Sequence, residues 1–168
     1  VGVDRTGLQA EANVFRYLPE AVLLRVGDDA EAREAARTLA AAAAAGSDVS
    51  VSYDPKVDKA VKKTVKSLAD ELGLALHKET VDAFTSALAD GSHDTGVGVR
   101  VRVLGALQDS VRQALAPRPE VALLDDAVTA SGRVELRHWV KEQAVSMTLH
   151  RFGNPSPAFH ELADELKG

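Results

Sequence analysis

The sequence predicts an α/β chain, a three-layer, Rossmann-like domain with a mainly parallel sheet and helices on both faces. Three observations lead there. Strand-like and helix-like segments alternate along most of the chain. Several strand-like segments are short, continuous apolar runs of the kind buried on both faces of a parallel sheet. The helix-like segments begin and end at residues that start and stop helices. Parallel strands joined by helices require right-handed crossovers and a sheet covered on both sides.

Taken in order, AVLLRV at 21–26 is the first buried strand, after which Asp28 or Asp29 is placed to cap a helix running to about Ala45, with Gly46 as its stop. The stretch 49–53 alternates and reads as a second strand. Asp54-Pro55 follows as cap and first helical position, where the missing proline N–H costs nothing. The next helix puts Val57, Val61, Val65, Leu68 and Leu72 on one face, with Lys56, Lys59, Lys63 and Lys66 away from it and Gly73 at its end. A short strand at 74–77 leads to a helix opened by Thr80, carrying Val81, Phe84 and Leu88 at helical spacing and closed by Asp90-Gly91-Ser92. The stretch 97–104 is strand-like, 107–115 helix-like, and 121–124 a short buried strand before Asp125-Asp126. Ser131 caps an amphipathic helix that shares Leu136, Trp139, Val140 and Gln143 on one face, 145–152 is the last strand, and Ser156-Pro157 opens a terminal helix. Residues 1–19 fall outside this repeating unit and are expected to pack on a neighbouring module.

A chain of 168 residues fits one domain and can bury roughly 70% of its unfolded surface without staples. Apolar residues make up 45%, but aromatics only 4%, so the core is to be built from Val, Leu and Ala. The formal charge of −5, from 20 Lys+Arg and 25 Asp+Glu, gives no overall attraction to nucleic acid or an acidic membrane. No cysteine is present, which removes disulfides and thiolate metal sites and suits a reducing cytoplasm. The longest apolar run, at 39–46, is mostly alanine and far short of the ~20 residues that cross a bilayer. With no signal peptide at its start, the chain reads as a soluble, cytoplasmic piece of something longer.

Chemistry is sparse. A dinucleotide-binding turn needs glycines directly after its first strand, so that the backbone can approach the pyrophosphate, yet here the turn is Val26-Gly27-Asp28-Asp29. Two carboxylates there complement the helix dipole themselves and repel phosphate. The G-x-G in Thr95-Gly96-Val97-Gly98 precedes a strand rather than following one and reads as a loop. Leu104-Gly105-Ala106 follows a strand but holds a single glycine, and Asp125-Asp126 reads first as an acidic turn. His77, His93, His138, His150 and His160 show no metal-ligand spacing, no serine lies in a G-x-S-x-G elbow, and the lysine face lacks the interleaved aromatics of a nucleic-acid surface.

The most informative stretch is GRVELRHWVKEQAVSMTLHRFG at 132–153. Val145, Met147 and Leu149 alternate there with Ser146, Thr148 and His150, so one side of the strand is apolar and the other polar. Within it, E-Q-A-V-S-M-T-L-H-R-F-G at 142–153 resembles the C-terminal end of bacterial bifunctional proline utilisation A proteins that carry an extra C-terminal domain. These are fused proline dehydrogenase and glutamate-semialdehyde dehydrogenase enzymes. A second stretch, D-R-T-G-L-Q-A-E-A-N-V-F-R-Y-L-P at 4–19, resembles the junction by which that family leaves its aldehyde dehydrogenase module.

The resemblance implies an inter-module junction at 1–19 and an accessory domain at 20–168 that belongs to the aldehyde dehydrogenase superfamily in fold. It implies a parent that uses FAD and NAD, with neither bound by this segment. Aldehyde dehydrogenases attack the carbonyl with a cysteine thiolate, and this chain has none to offer. It is therefore expected to be non-catalytic, a lid and scaffold over the route between the parent's two active sites, with the upstream aldehyde dehydrogenase module as partner. Carried over residue by residue, the docking set is Glu142, Gln143, Ser146, Thr148, His150, Arg151 and Phe152. The alternative is a regulatory or ligand-binding module that keeps a nucleotide at the sheet edge, near Gly105 or Asp125. Sheet order and self-association into a homo-oligomer are left open.

Overall fold

The computed structural model describes residues 1–93 and 99–168. The G-x-G stretch Thr95-Gly96-Val97-Gly98, and with it the first two residues of the strand expected at 97–104, falls outside the described residues. In chain order the elements are β1 (Val3–Asp4), β2 (Glu11–Pro19), β3 (Val22–Val26), α1 (Ala32–Ala45), β4 (Val49–Tyr53), α2 (Lys59–Leu72), β5 (Ala75–Lys78) and α3 (Val81–Asp90). They continue with β6 (Val99–Leu104), α4 (Asp109–Leu115), β7 (Val121–Leu124), α5 (Gly132–Leu136), β8 (Val140–Thr148), β9 (His150–Arg151), β10 (Asn154–Pro155) and α6 (Pro157–Lys167). Two compact units result, one of Pro19–Trp139 and the other of Val1–Leu18 with Val140–Gly168.

The larger unit is the expected α/β, Rossmann-like fold, a five-stranded sheet in the order β5-β4-β3-β6-β7. Every neighbouring pair is parallel, with Leu24 opposite both Val51 and Arg102. Because side chains alternate along a strand, Val22, Leu24 and Val26 face a core with Ala35, Leu39 and Ala42 of α1 and Val61 and Val65 of α2, which Trp139 completes. Leu23 faces the other way, into a core with Val101, Val103, Phe84, Leu88, Val111 and Leu115. Small alanines on α1 let that helix approach the sheet closely. Burying Leu39 or Leu88 in full contributes about 1.5–3 kcal/mol each.

Two helix starts differ from expectation, for one physical reason. Helix α1 begins after Glu31 with no side-chain cap, since Asp29 is engaged across the sheet edge. Helix α2 is capped by Asp58, whose Oδ1 accepts from the Ala60 N–H at 2.7 Å, while Asp54 binds Arg25 instead. Thr80 does cap α3, accepting from the Ala83 N–H. Helices α1 and α2 end at Gly46 and Gly73 as expected.

The smaller unit corrects the reading of the C-terminal run. Helix α5 is only five residues long, Trp139 lies in a turn beyond it, and β8 already runs from Val140. The 3.6-residue spacing of Leu136, Val140 and Gln143 is therefore not a helical face here. Within 1–19, β1 and β2 join β8 in a three-stranded sheet of order β1-β2-β8. Val3 pairs with Phe15 and Asp4 with Val14, antiparallel. Arg16 meets Gln143, Asn13 meets Ser146 and Ala10 meets Leu149, so β8 descends as β2 climbs. Helix α6, opened by Pro157 as expected, covers one face through Phe159 and Ala163, packed with Ala12, Met147 and Leu149. Gly2 passes close beneath it, where a Cβ would come within 2.8 Å of both Leu166 O and Val14 Cγ1. Among the described residues, no helix is long and apolar enough to cross a membrane.

Candidate functional site

In an open parallel sheet, ligands enter at the carboxyl ends of the strands, where the strand order reverses. Here that point lies between β3 and β6. The Gly27 N–H donates to Leu104 O at 2.9 Å, which stitches the two strand ends together. The Ala106 N–H, placed to receive an anion, instead donates to the Asp29 carboxylate at 3.0 and 3.1 Å. Gly105 makes room for that carboxylate: its φ is +83°, and a Cβ would fall 2.1 Å from Asp29 Oδ1. With Asp28, Glu31 and Glu34 nearby in sequence, the edge presents negative charge where a pyrophosphate needs bare N–H groups. The geometry does not fit a dinucleotide cradle.

The acidic turn after β7 is paired as well. Asp125 binds Arg112 and Asp126 binds His138, so the Asp125-Asp126 turn is held by the chain's own side chains. Sequence reasoning missed two arginines that sit in the sheet, one on each face. Arg25 is 4% exposed and donates to Ser52 Oγ at 2.8 Å, Glu79 O at 3.0 Å and Asp54 Oδ2 at 3.0 Å, with its guanidinium 4.7 Å from the Phe84 ring centroid. Burial pulls its pKa down, and Asp54 and then Glu79 oppose that. Arg102 is fully buried, paired with Glu135 through Nε at 3.1 Å and Nη2 at 3.3 Å, and its Nη1 reaches Leu124 O and Asp126 O. Their signal was an arginine inside an otherwise apolar strand, as in V-L-L-R-V and V-R-V-R-V-L. Among the described residues, no group of three or more His, Asp or Glu side chains is placed to hold a metal.

The residues of the terminal motif lie in the smaller unit. Glu142, Ser146 and Thr148 are exposed on β8, and Ser146 Oγ donates to Asn13 Oδ1 at 2.6 Å. Gln143 is half-buried on the face toward α6, where it accepts from Arg16 Nε at 2.6 Å, and Arg16 Nη1 also reaches Leu166 O. His150 and Arg151 form β9, which pairs with β10 across a two-residue turn of Phe152 and Gly153. Both turn residues have positive φ, +53° and +84°, as a type I′ turn requires. For a phenylalanine that backbone is costly. It leaves Phe152 90% exposed, with the Arg151 guanidinium 5.3 Å from its ring centroid. The Nδ1 of His150 is buried without a partner among the described residues.

The face of this sheet away from α6 carries Phe15 and Tyr17, 40% and 53% exposed and edge to face at 5.2 Å, beside Val3. The signal for these aromatics was the alternation in E-A-N-V-F-R-Y-L-P, a strand period. Asp4 fixes the connection between β1 and β2: its Oδ1 accepts from Thr6 Oγ1 at 2.7 Å and the Thr6 N–H at 2.8 Å, and its Oδ2 from the Asn13 N–H at 3.0 Å. These bonds, the Thr6 hydroxyl first, bring its pKa down from 3.8 to about 2.

Such a chain belongs to the α/β class, with a Rossmann-like parallel sheet. No family model matches it, and no curated protein does either.

Proposed function

We propose that this chain is the non-catalytic C-terminal accessory domain of a cytoplasmic, bifunctional proline-catabolising oxidoreductase of the proline utilisation A kind. In that reading it docks on the upstream aldehyde dehydrogenase module and helps to cover the internal route by which glutamate semialdehyde passes between the parent's FAD and NAD sites. One observation supports it above others: the two stretches that resemble this family, 4–19 and 142–153, are remote in sequence yet form neighbouring strands, β2 and β8. Shared local geometry is a reason for both stretches to keep their wording together. The exposed aromatics of β2, the polar residues of β8 and the Phe152 turn then make up one docking element. A large exposed apolar group beside an arginine is the usual composition of an interface anchor.

The nucleotide-binding alternative is weakened by Asp29, whose carboxylate already takes the Ala106 N–H. Removing residues 145–168 from the parent tests the reading. NADH formation from proline should then show a lag while semialdehyde accumulates in solution. An unchanged time course would count against it.

A further inference from the structure

The hairpin of β9 and β10 holds a phenylalanine at a position whose backbone suits asparagine or glycine. On the reading that this turn docks onto a neighbouring module, we propose that Phe152 is a preformed anchor for an apolar socket with a carboxylate at its rim. The ring fills the socket and Arg151 meets the carboxylate.

The base of the hairpin is fixed. Leu149 is 5% exposed and packs with Ala12 and Ala163. Its N–H donates to Ala10 O and its own O accepts from the Ser156 N–H, both at 2.9 Å. Beyond that rung His150 pairs with Pro155 and Arg151 with Asn154, so the turn of Phe152 and Gly153 is carried outward on a paired stem. Its geometry is set before any partner arrives, which spares docking the cost of ordering a loop. A two-residue turn with both residues at positive φ favours Asn-Gly. Gly153 meets that need freely, whereas Phe152, at φ +53°, sets its Cβ against the backbone.

The chain's own return for this strain is small. The ring is 90% exposed and buries almost no apolar surface, and the Arg151 guanidinium lies 5.3 Å from its centroid. A cation–π contact in water stabilises by less than a left-handed phenylalanine costs. The compensating contact is therefore with a partner.

Arg151 sets the chemistry of that partner. Among the described residues it has no carboxylate to pair with. Seating the ring takes the neighbouring guanidinium out of water with it, and a cation buried without a counter-charge is costly. A purely apolar socket would reject the pair. One with an Asp or Glu at its rim takes both, since the planar guanidinium can hold two carboxylate oxygens at once.

Two measurements test this. In the chain itself, Phe152→Asn should raise the thermal midpoint by about 2 °C, because asparagine tolerates the left-handed backbone. An unchanged or lowered midpoint would show that the ring serves its own fold, and would overturn the proposal. In the parent enzyme, p-benzoylphenylalanine in place of Phe152 should crosslink on irradiation to one apolar site outside residues 1–168, identified by mass spectrometry. Arg151→Glu should cut the yield about tenfold or more, through loss of the charge pair. No crosslink, crosslinks scattered over polar surface or lipid, or a yield indifferent to Arg151→Glu would each overturn the anchor. A single site outside the aldehyde dehydrogenase module would uphold the anchor and contradict the proposed function; the lag after removal of residues 145–168 judges that function separately.

Discussion

Arg102 and Glu135 show what a buried pair does for this fold. Breaking such a pair leaves one charge uncompensated in the interior and costs about 3–5 kcal/mol, whereas replacing both partners by apolar groups of similar volume is close to neutral. Urea unfolding of Glu135→Leu should show a loss of that size, and Arg102→Met with Glu135→Leu should regain most of it. Equal stability of the single and double variants would refute the pairing. Asp4 makes a second test at this scale. Its folded value lies below its unfolded one, so its contribution is present above pH 3.8 and disappears as pH falls through about 2. A carboxyl-carbon NMR titration should find its midpoint near 2, and a midpoint near 3.8 would mean that the Thr6 and Asn13 bonds do not form.

At the scale of elements, the parallel strands were legible because a strand buried on both faces has to be apolar throughout, as in 21–26. The C-terminal run was harder. Lys141, Glu142, Gln143 and Ala144 are good helix formers, and what makes them a strand is pairing with β2, more than a hundred residues away in sequence, as in Arg16 on Gln143. Local propensity carries no trace of that partner. The helix starts at Asp29 and Asp54 misled for a related reason, since both residues cap helices well and both are committed to distant groups. The exposure of Ser146 and Thr148 was legible from alternation alone. The positive φ of Phe152 was not, because phenylalanine rarely adopts it. Where β3 and β6 diverge, Gly105 should tolerate no side chain: Gly105→Ala meets Asp29 and a left-handed backbone at once and should cost more than about 1 kcal/mol. Thermal unfolding checks this, and a variant as stable as the parent would show that Asp29 does not fill the sheet edge.

At the scale of the whole molecule, the described groups divide their labour. In the unit of Pro19–Trp139, Asp29, Arg25, Arg102 and the Asp125-Asp126 turn are bound to one another's neighbours along the edge where related folds receive ligands. In the unit of Val1–Leu18 and Val140–Gly168, Phe15, Tyr17 and Phe152 are exposed. The proposed function assigns these exposed aromatics to contact with a neighbouring module. Phe152 is the sharpest probe of that account, being exposed enough to change without touching the core. Stopped-flow measurement of NADH formation from proline, in the parent enzyme carrying Phe152→Ser and Arg151→Ser, tests it most directly. The account predicts a lag that the unaltered enzyme lacks, with unchanged oxidation of semialdehyde supplied at saturation; superimposable progress curves from proline would contradict it.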